Sequence, residues 1–207
     1  MKGVFKFLIA AAVFVGVAVS DSTSFKVHVI GDSTVCNYKD SAYPQTGWGQ
    51  ILGSFFDGSR VQVVNYAIGG RSSKTFVQEG RLDEVKKNLQ KGDIMMVQFG
   101  HNDRYFGSKA REVPFDSLDY WLQQYADVAK GAGVTLVYVT PMNMNMGANG
   151  RNIFTEYNVV GKMEELAKKN GAVYVNLNAK SYNAYSKSWD PAYVSRYQFK
   201  MFLKGEY

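Results

Sequence analysis

Phe25-Lys-Val-His-Val-Ile-Gly-Asp-Ser-Thr-Val35 decides how the rest of the chain is read. Residues 25–30 are rich in β-branched side chains, the composition of a strand buried on both faces. Gly31-Asp32-Ser33-Thr34 then ends the run with small polar residues. A glycine here lets the chain turn sharply and present Ser33 at the rim of a sheet. The same tetrapeptide is also an ordinary strand-to-helix turn, since Asp and Ser are common turn and cap residues.

Four further runs of this type follow, at residues 61–66, 94–99, 134–140 and 173–175. Helical spacing fills the gaps between them. Trp48, Ile51 and Leu52 lead into Phe55-Phe56; Leu82, Val85 and Leu89 share a face; so do Leu118, Leu122, Tyr125 and Ala129, and then Val159, Met163, Leu166 and Ala167. Strand and helix alternate, which predicts an α/β three-layer sandwich: a five-stranded parallel sheet with helices on both faces. Ligands of such sheets bind beyond the carboxyl ends of the strands. The residues that follow each strand are therefore the first candidates for chemistry.

After the second strand comes Ala67-Ile-Gly-Gly70-Arg-Ser-Ser73. Paired glycines let backbone N–H groups approach a ligand, and they also suit a flexible turn capped by Ser. No third glycine stands at dinucleotide-binding spacing. After the third strand comes Gly100-His-Asn102-Asp103. The Asn amide can donate to a developing oxyanion, or form an Asx turn. Together the three strand ends offer a hydroxyl, a backbone N–H and an amide, the set that acyl transfer needs.

Gly31-Asp32-Ser33, Asn65-Tyr-Ala-Ile-Gly-Gly70-Arg-Ser-Ser73 and Gly100-His-Asn102-Asp103 resemble the first three blocks of the SGNH (GDSL-type) hydrolases. The rhamnogalacturonan acetylesterase branch is the closer likeness, through Gly47-Trp48-Gly49, Gly70-Arg71-Ser72, Glu79-Gly80-Arg81, Phe99 to Asp103, and Thr140-Pro141. The resemblance runs over about residues 27–202. It implies an SGNH/flavodoxin-like fold and a serine acyl-enzyme mechanism that removes acetyl groups from a plant cell-wall polysaccharide, rhamnogalacturonan/pectin or xylan. It implies Ser33 as nucleophile, with the N–H groups of Ser33 and Gly70 and the Asn102 amide as the oxyanion hole. It also implies that Asp32 shapes the turn and that Arg71 and Ser72 brace the loop. Other esters, such as acylglycerols, are the alternative substrates.

A serine hydroxyl needs a base, usually a His oriented by a carboxylate. The sequence holds two histidines. His28 lies five residues before Ser33 on the first strand, about 16 Å away at strand rise, and is expected in the core. His101 stands beside Asn102 and is expected to point elsewhere. The family draws its Asp and His from a D-x-x-H block, which is absent here. Residues 196–207 resemble the stretch that leads into that block. The expectation is a chain truncated at its C-terminus, lacking the fold's last helix and impaired in turnover, or else a non-catalytic relic.

The remaining features bound the class. Residues 1–6 carry two lysines, residues 7–19 are apolar, and Ala18-Val19-Ser20 has the small residues of a cleavage site. This is the plan of a secretory signal over residues 1–20, giving a secreted or periplasmic domain over 21–207 with no membrane attachment after cleavage. The net charge of +6 comes from scattered lysines rather than a stripe, which argues against nucleic acid. It gives a mild field favourable to an acidic polysaccharide. One Cys and two distant His make no metal-ligand set, and no cofactor is expected. Cys36 is expected as a buried apolar filler.

Overall fold

A computed structural model describes residues 24–104, 108–143, 154 and 157–187. The proposed leader, its cleavage site and residues 196–207 lie outside the described residues. β1 (Phe25–Gly31) is followed by α1 (Trp48–Ile51), which runs on into a 3-10 turn over Leu52–Phe55. β2 (Val61–Asn65), α2 (Ser73–Gln78), α3 (Arg81–Asn88) and β3 (Ile94–Gln98) come next. α4 (Leu118–Ala132), β4 (Thr135–Val139), α5 (Val159–Asn170), β5 (Val173–Val175) and α6 (Leu177–Lys187) complete the order.

The five strands pair in parallel in the order β2-β1-β3-β4-β5. Side chains alternate across the sheet, so Val27 and Val29 fall on one face and His28 and Ile30 on the other. The first face packs on Trp48 and Leu52. The second packs on Phe76, Leu82, Val85, Leu118, Leu122, Tyr125 and Met163, which come from α2 to α5. Helices thus lie on both faces, as the strand-helix alternation predicts. Cys36 is buried in the smaller core, and burial pushes its thiol up, as a filler's should be.

α2 and α6 lack an apolar period in the sequence, and polar contacts define them instead. Ser72 and Thr75 cap α2 reciprocally, each side chain taking the other's backbone N–H. At the start of α6, Asn176 Oδ1 accepts from the Ala179 N–H at 2.9 Å. Thr140 Oγ1 accepts from the Asn178 N–H, and Ser181 Oγ from the Asn143 N–H, both at 2.8 Å.

The sheet grows outward from β1 in both directions. The connection after β1 leads to β2 on one side, and β3 then docks on the other. Gly31 and Gln98 are register partners at the carboxyl ends of β1 and β3. This switch point opens a crevice between the loops that follow those strands. Ser33 and Asn102 are on those two loops.

Candidate active site

The turn that carries Ser33 is held from inside. Asp32 is fully buried. Its Oδ1 accepts from the Thr34 N–H at 2.9 Å and from the Thr34 hydroxyl at 2.7 Å, closing the turn around Ser33. Gly31 is required for space rather than for a turn. A Cβ there would stand 2.6 Å from Val35 Cγ2 and 2.8 Å from the Gln98 carbonyl oxygen. The predicted sharp turn at Gly31 therefore gives way to close packing between strand end and loop.

Thr34 belongs to a longer chain of bonds. Trp48 Nε1–H donates to Gln98 Oε1 at 2.8 Å, and Gln98 Nε2 donates to Thr34 Oγ1. On the other side, Asp32 Oδ2 lies 3.3 Å from His101 Nδ1, and His101 Nε2 lies 2.9 Å from the Met142 carbonyl oxygen. A carbonyl only accepts, so Nε2 carries a hydrogen. The other ring nitrogen, Nδ1, faces Asp32. Both ring nitrogens are committed, to Asp32 and to Met142, and neither is offered to Ser33. His28 is equally occupied elsewhere. It is buried, its Nε2 lies 3.0 Å from Asp93 Oδ2, and its ring stacks on Tyr66.

Ser33 itself is half-buried. Its carbonyl accepts from the Tyr38 hydroxyl at 2.8 Å. Among the described residues no group bonds its hydroxyl or its N–H. A Cβ at Gly69 would stand 3.6 Å from Ser33 Cβ, so the paired glycines lie against the serine. Gly70 has φ +77°, a left-handed backbone that side chains disfavour. Its N–H also lacks a partner among the described residues. Arg71 braces this loop by donating from Nη1 to the Gly69 carbonyl at 2.9 Å and from Nε to Glu79 at 3.1 Å.

Asn102 is clamped at both ends. Its Nδ2 donates to the Arg71 carbonyl at 3.1 Å, and its Oδ1 accepts from Arg111 Nη1 at 3.1 Å. An acceptor at one end and a donor at the other fix the amide's orientation. One of its two N–H donors is left over.

A model of the GDSL-like lipase/acylhydrolase family matches residues 27–197. The chain belongs to that family. This GDSL-like acylhydrolase is 38% identical over 158 residues to a probable rhamnogalacturonan acetylesterase, YesY of Bacillus subtilis, covering 75% of this chain and 71% of the relative. It is 36% identical over 165 residues to the rhamnogalacturonan acetylesterase RhgT of the same organism, covering 77% and 69%. The crystal structure of YxiM from Bacillus subtilis superposes with a TM-score of 0.72 at 27% identity, over 84% of this chain. The acylhydrolase spans 49% of that longer YxiM chain.

The hydrolase's site has a second buried carboxylate. Asp103 accepts from the Ser73 and Gly100 N–H groups at 3.0 Å each, and from the Ser73 hydroxyl. These bonds tie the glycine loop after β2 to the loop after β3. Burial pushes the Asp103 carboxyl up to about 6, against the donors from Ser73. The sequence marks Asp103 within the Phe99–Asp103 block without assigning its partner. Arg111 carries no signal in the sequence, because it lies in a loop with no periodicity.

Proposed function

We propose that this chain is a carbohydrate acetylesterase of the rhamnogalacturonan type, exported by its N-terminal signal and acting outside the cytoplasm on acetylated pectic polysaccharide. The observation that supports the reading is that Ser33, Gly70 and Asn102 lie on the loops after β1, β2 and β3, with Gly69 against Ser33 and no group among the described residues bonding the Ser33 hydroxyl. A hydroxyl with the N–H groups of Ser33, Gly70 and Asn102 beside it would suit a tetrahedral oxyanion. The names of YesY and RhgT support the acetylated polysaccharide as substrate.

In this mechanism Ser33 Oγ attacks the acetyl carbonyl carbon, and the three donors take the charge that develops on oxygen. The sugar oxygen leaves with a proton, and water releases acetate from the acyl-serine. His28 and His101 bond Asp93, Asp32 and Met142, so neither imidazole is placed to take the Ser33 proton.

The test is acetate release from acetylated rhamnogalacturonan, acetylated xylan and 4-nitrophenyl acetate, with and without imidazole as an external base. Slow hydrolysis is expected. Imidazole should raise it above the rate of imidazole alone, and Ser33→Ala should abolish the increment. Fast hydrolysis without added base, lost in Ser33→Ala, would show that a base is present and remove the impairment. Hydrolysis indifferent to Ser33→Ala would remove the site. Release from long-chain lipid esters alone would move the assignment to a lipase.

A further inference from the structure

Three arginines stand around the glycine loop, and they differ in what neutralises them. Arg71 and Arg81 both donate from Nε to Glu79 Oε2. Arg111 has no carboxylate within ion-pair distance among the described residues. Among the described residues its guanidinium makes one hydrogen bond, from Nη1 to Asn102 Oδ1 at 3.1 Å. Nη1 also lies 3.5 Å from where a side chain on Gly70 would begin, so the cation covers the Gly70 face of the site. The side chain is half-buried, a costly place for an unmatched charge.

The backbone that presents Arg111 is tied down on every side. The Arg111 and Glu112 N–H groups donate to the Ser108 carbonyl at 3.2 Å each. The Glu112 carbonyl accepts from Lys74 Nζ. The Val113 N–H donates to the Asp103 carbonyl at 2.7 Å, and the Val113 carbonyl accepts from the Tyr157 hydroxyl at 2.8 Å. A guanidinium has five N–H donors in a planar fork that matches a carboxylate. The single bond to Asn102 leaves four of them for a ligand.

We propose that Arg111 binds a carboxylate of the substrate, so that the acyl site selects acetyl esters on uronic-acid-containing polysaccharide over those on neutral xylan. The inference rests on the carbohydrate esterase reading above and adds the residue that reads the charge. Arg111 then has two tasks: Nη1 holds the Asn102 amide, and the rest of the fork meets the anion. Lysine would supply the charge without the fork.

The test is calorimetric binding, which needs no catalytic base. The probe is a rhamnogalacturonan oligosaccharide compared with the same oligosaccharide after its carboxyl groups are reduced to alcohols. At low salt the acid form should bind wild type at least tenfold tighter than the reduced form. Arg111→Gln, whose amide still reaches toward Asn102, should bring the ratio near one, and Arg111→Lys should restore part of it. Added salt should shrink the wild-type preference. A Gln variant that merely disturbs Asn102 would weaken both forms and leave the ratio intact, and that result would overturn the proposal. Equal binding of both forms by wild type would also overturn it while leaving the carbohydrate reading in place. Binding of neither form would remove the proposal, and lipid-only hydrolysis in the earlier assay would remove the carbohydrate reading with it.

Discussion

Replacing His101 with alanine removes two buried bonds at once, to Asp32 Oδ2 and to the Met142 carbonyl. His101 is 5% exposed and Asp32 0%, so water cannot substitute. Leaving a buried hydrogen-bonding group without its partner typically costs about 1–3 kcal/mol, and more where the group left is a carboxylate. For a chain of this size each kcal/mol lowers the melting temperature by about 2–4 °C. Asp32→Asn should behave quite differently. Asn Oδ1 can still accept from both Thr34 donors, and its Nδ2 can donate to Nδ1 of a neutral ring whose hydrogen stays on Nε2. Each bond can survive in this arrangement, and the cost should stay within about 1 kcal/mol. In the double variant an Asn amide, not a carboxylate, loses its partner, at about 1–3 kcal/mol. Asp32→Asn should therefore suppress part of the His101→Ala loss. Urea unfolding of the four proteins at a common m-value measures the cycle. If Asp32→Asn costs as much as His101→Ala, an Asn at this position does not keep the bonds to Thr34 and His101 and the reasoning is wrong.

Two further outcomes follow from the same loops. Trp48→Phe leaves Gln98 Oε1 without its donor at a fully buried position. It should cost about 1–3 kcal/mol by circular-dichroism-monitored unfolding, and an unchanged midpoint would show that Gln98 is satisfied another way. Asp103, raised to about 6 in the fold from about 3.9 unfolded, keeps its proton longer when folded. Its contribution to stability is whole below about pH 4 and is lost as pH rises through about 6. Relative to Asp103→Asn, wild type should lose stability over that window, with a slope of up to about 1.4 kcal/mol per pH unit. Parallel stability curves for the two proteins between pH 4 and 7 would refute it.

The strands were legible because each is a short run rich in β-branched residues, and the central ones, β1, β3 and β4, are largely buried. Their predicted limits differ from those observed by a residue or less at each end, as at Thr135 and Val139 in β4. α3, α4 and α5 were legible because one face of each packs on the larger core. α2 and α6 were not, because Ser72, Thr75 and Asn176 define them through polar capping, which leaves no period. The candidate site divides in the same way. Ser33, Gly70 and Asn102 could be singled out because topology alone brings strand ends to one rim. Which group each polar atom bonds could not, because those partners are remote in sequence: Asp32 and His101, Trp48 and Gln98, Ser73 and Asp103. Arg111 acquires its place only when the loop before α4 folds back on Asn102.

The polar fastening of α6 reaches beyond the helix. Ser181 Oγ accepts from the Asn143 backbone N–H, the carbonyl of neighbouring Met142 holds His101, and His101 lies against Asp32 beneath Ser33. Hydrogen bonds are directional, and this relay has no compliant apolar layer to absorb a displacement. Slackening of α6 is therefore transmitted to the Ser33 turn. The firmness of the Ser33 turn is set in part by a helix remote from it in sequence, and changes in α6 can reach Ser33 from a distance.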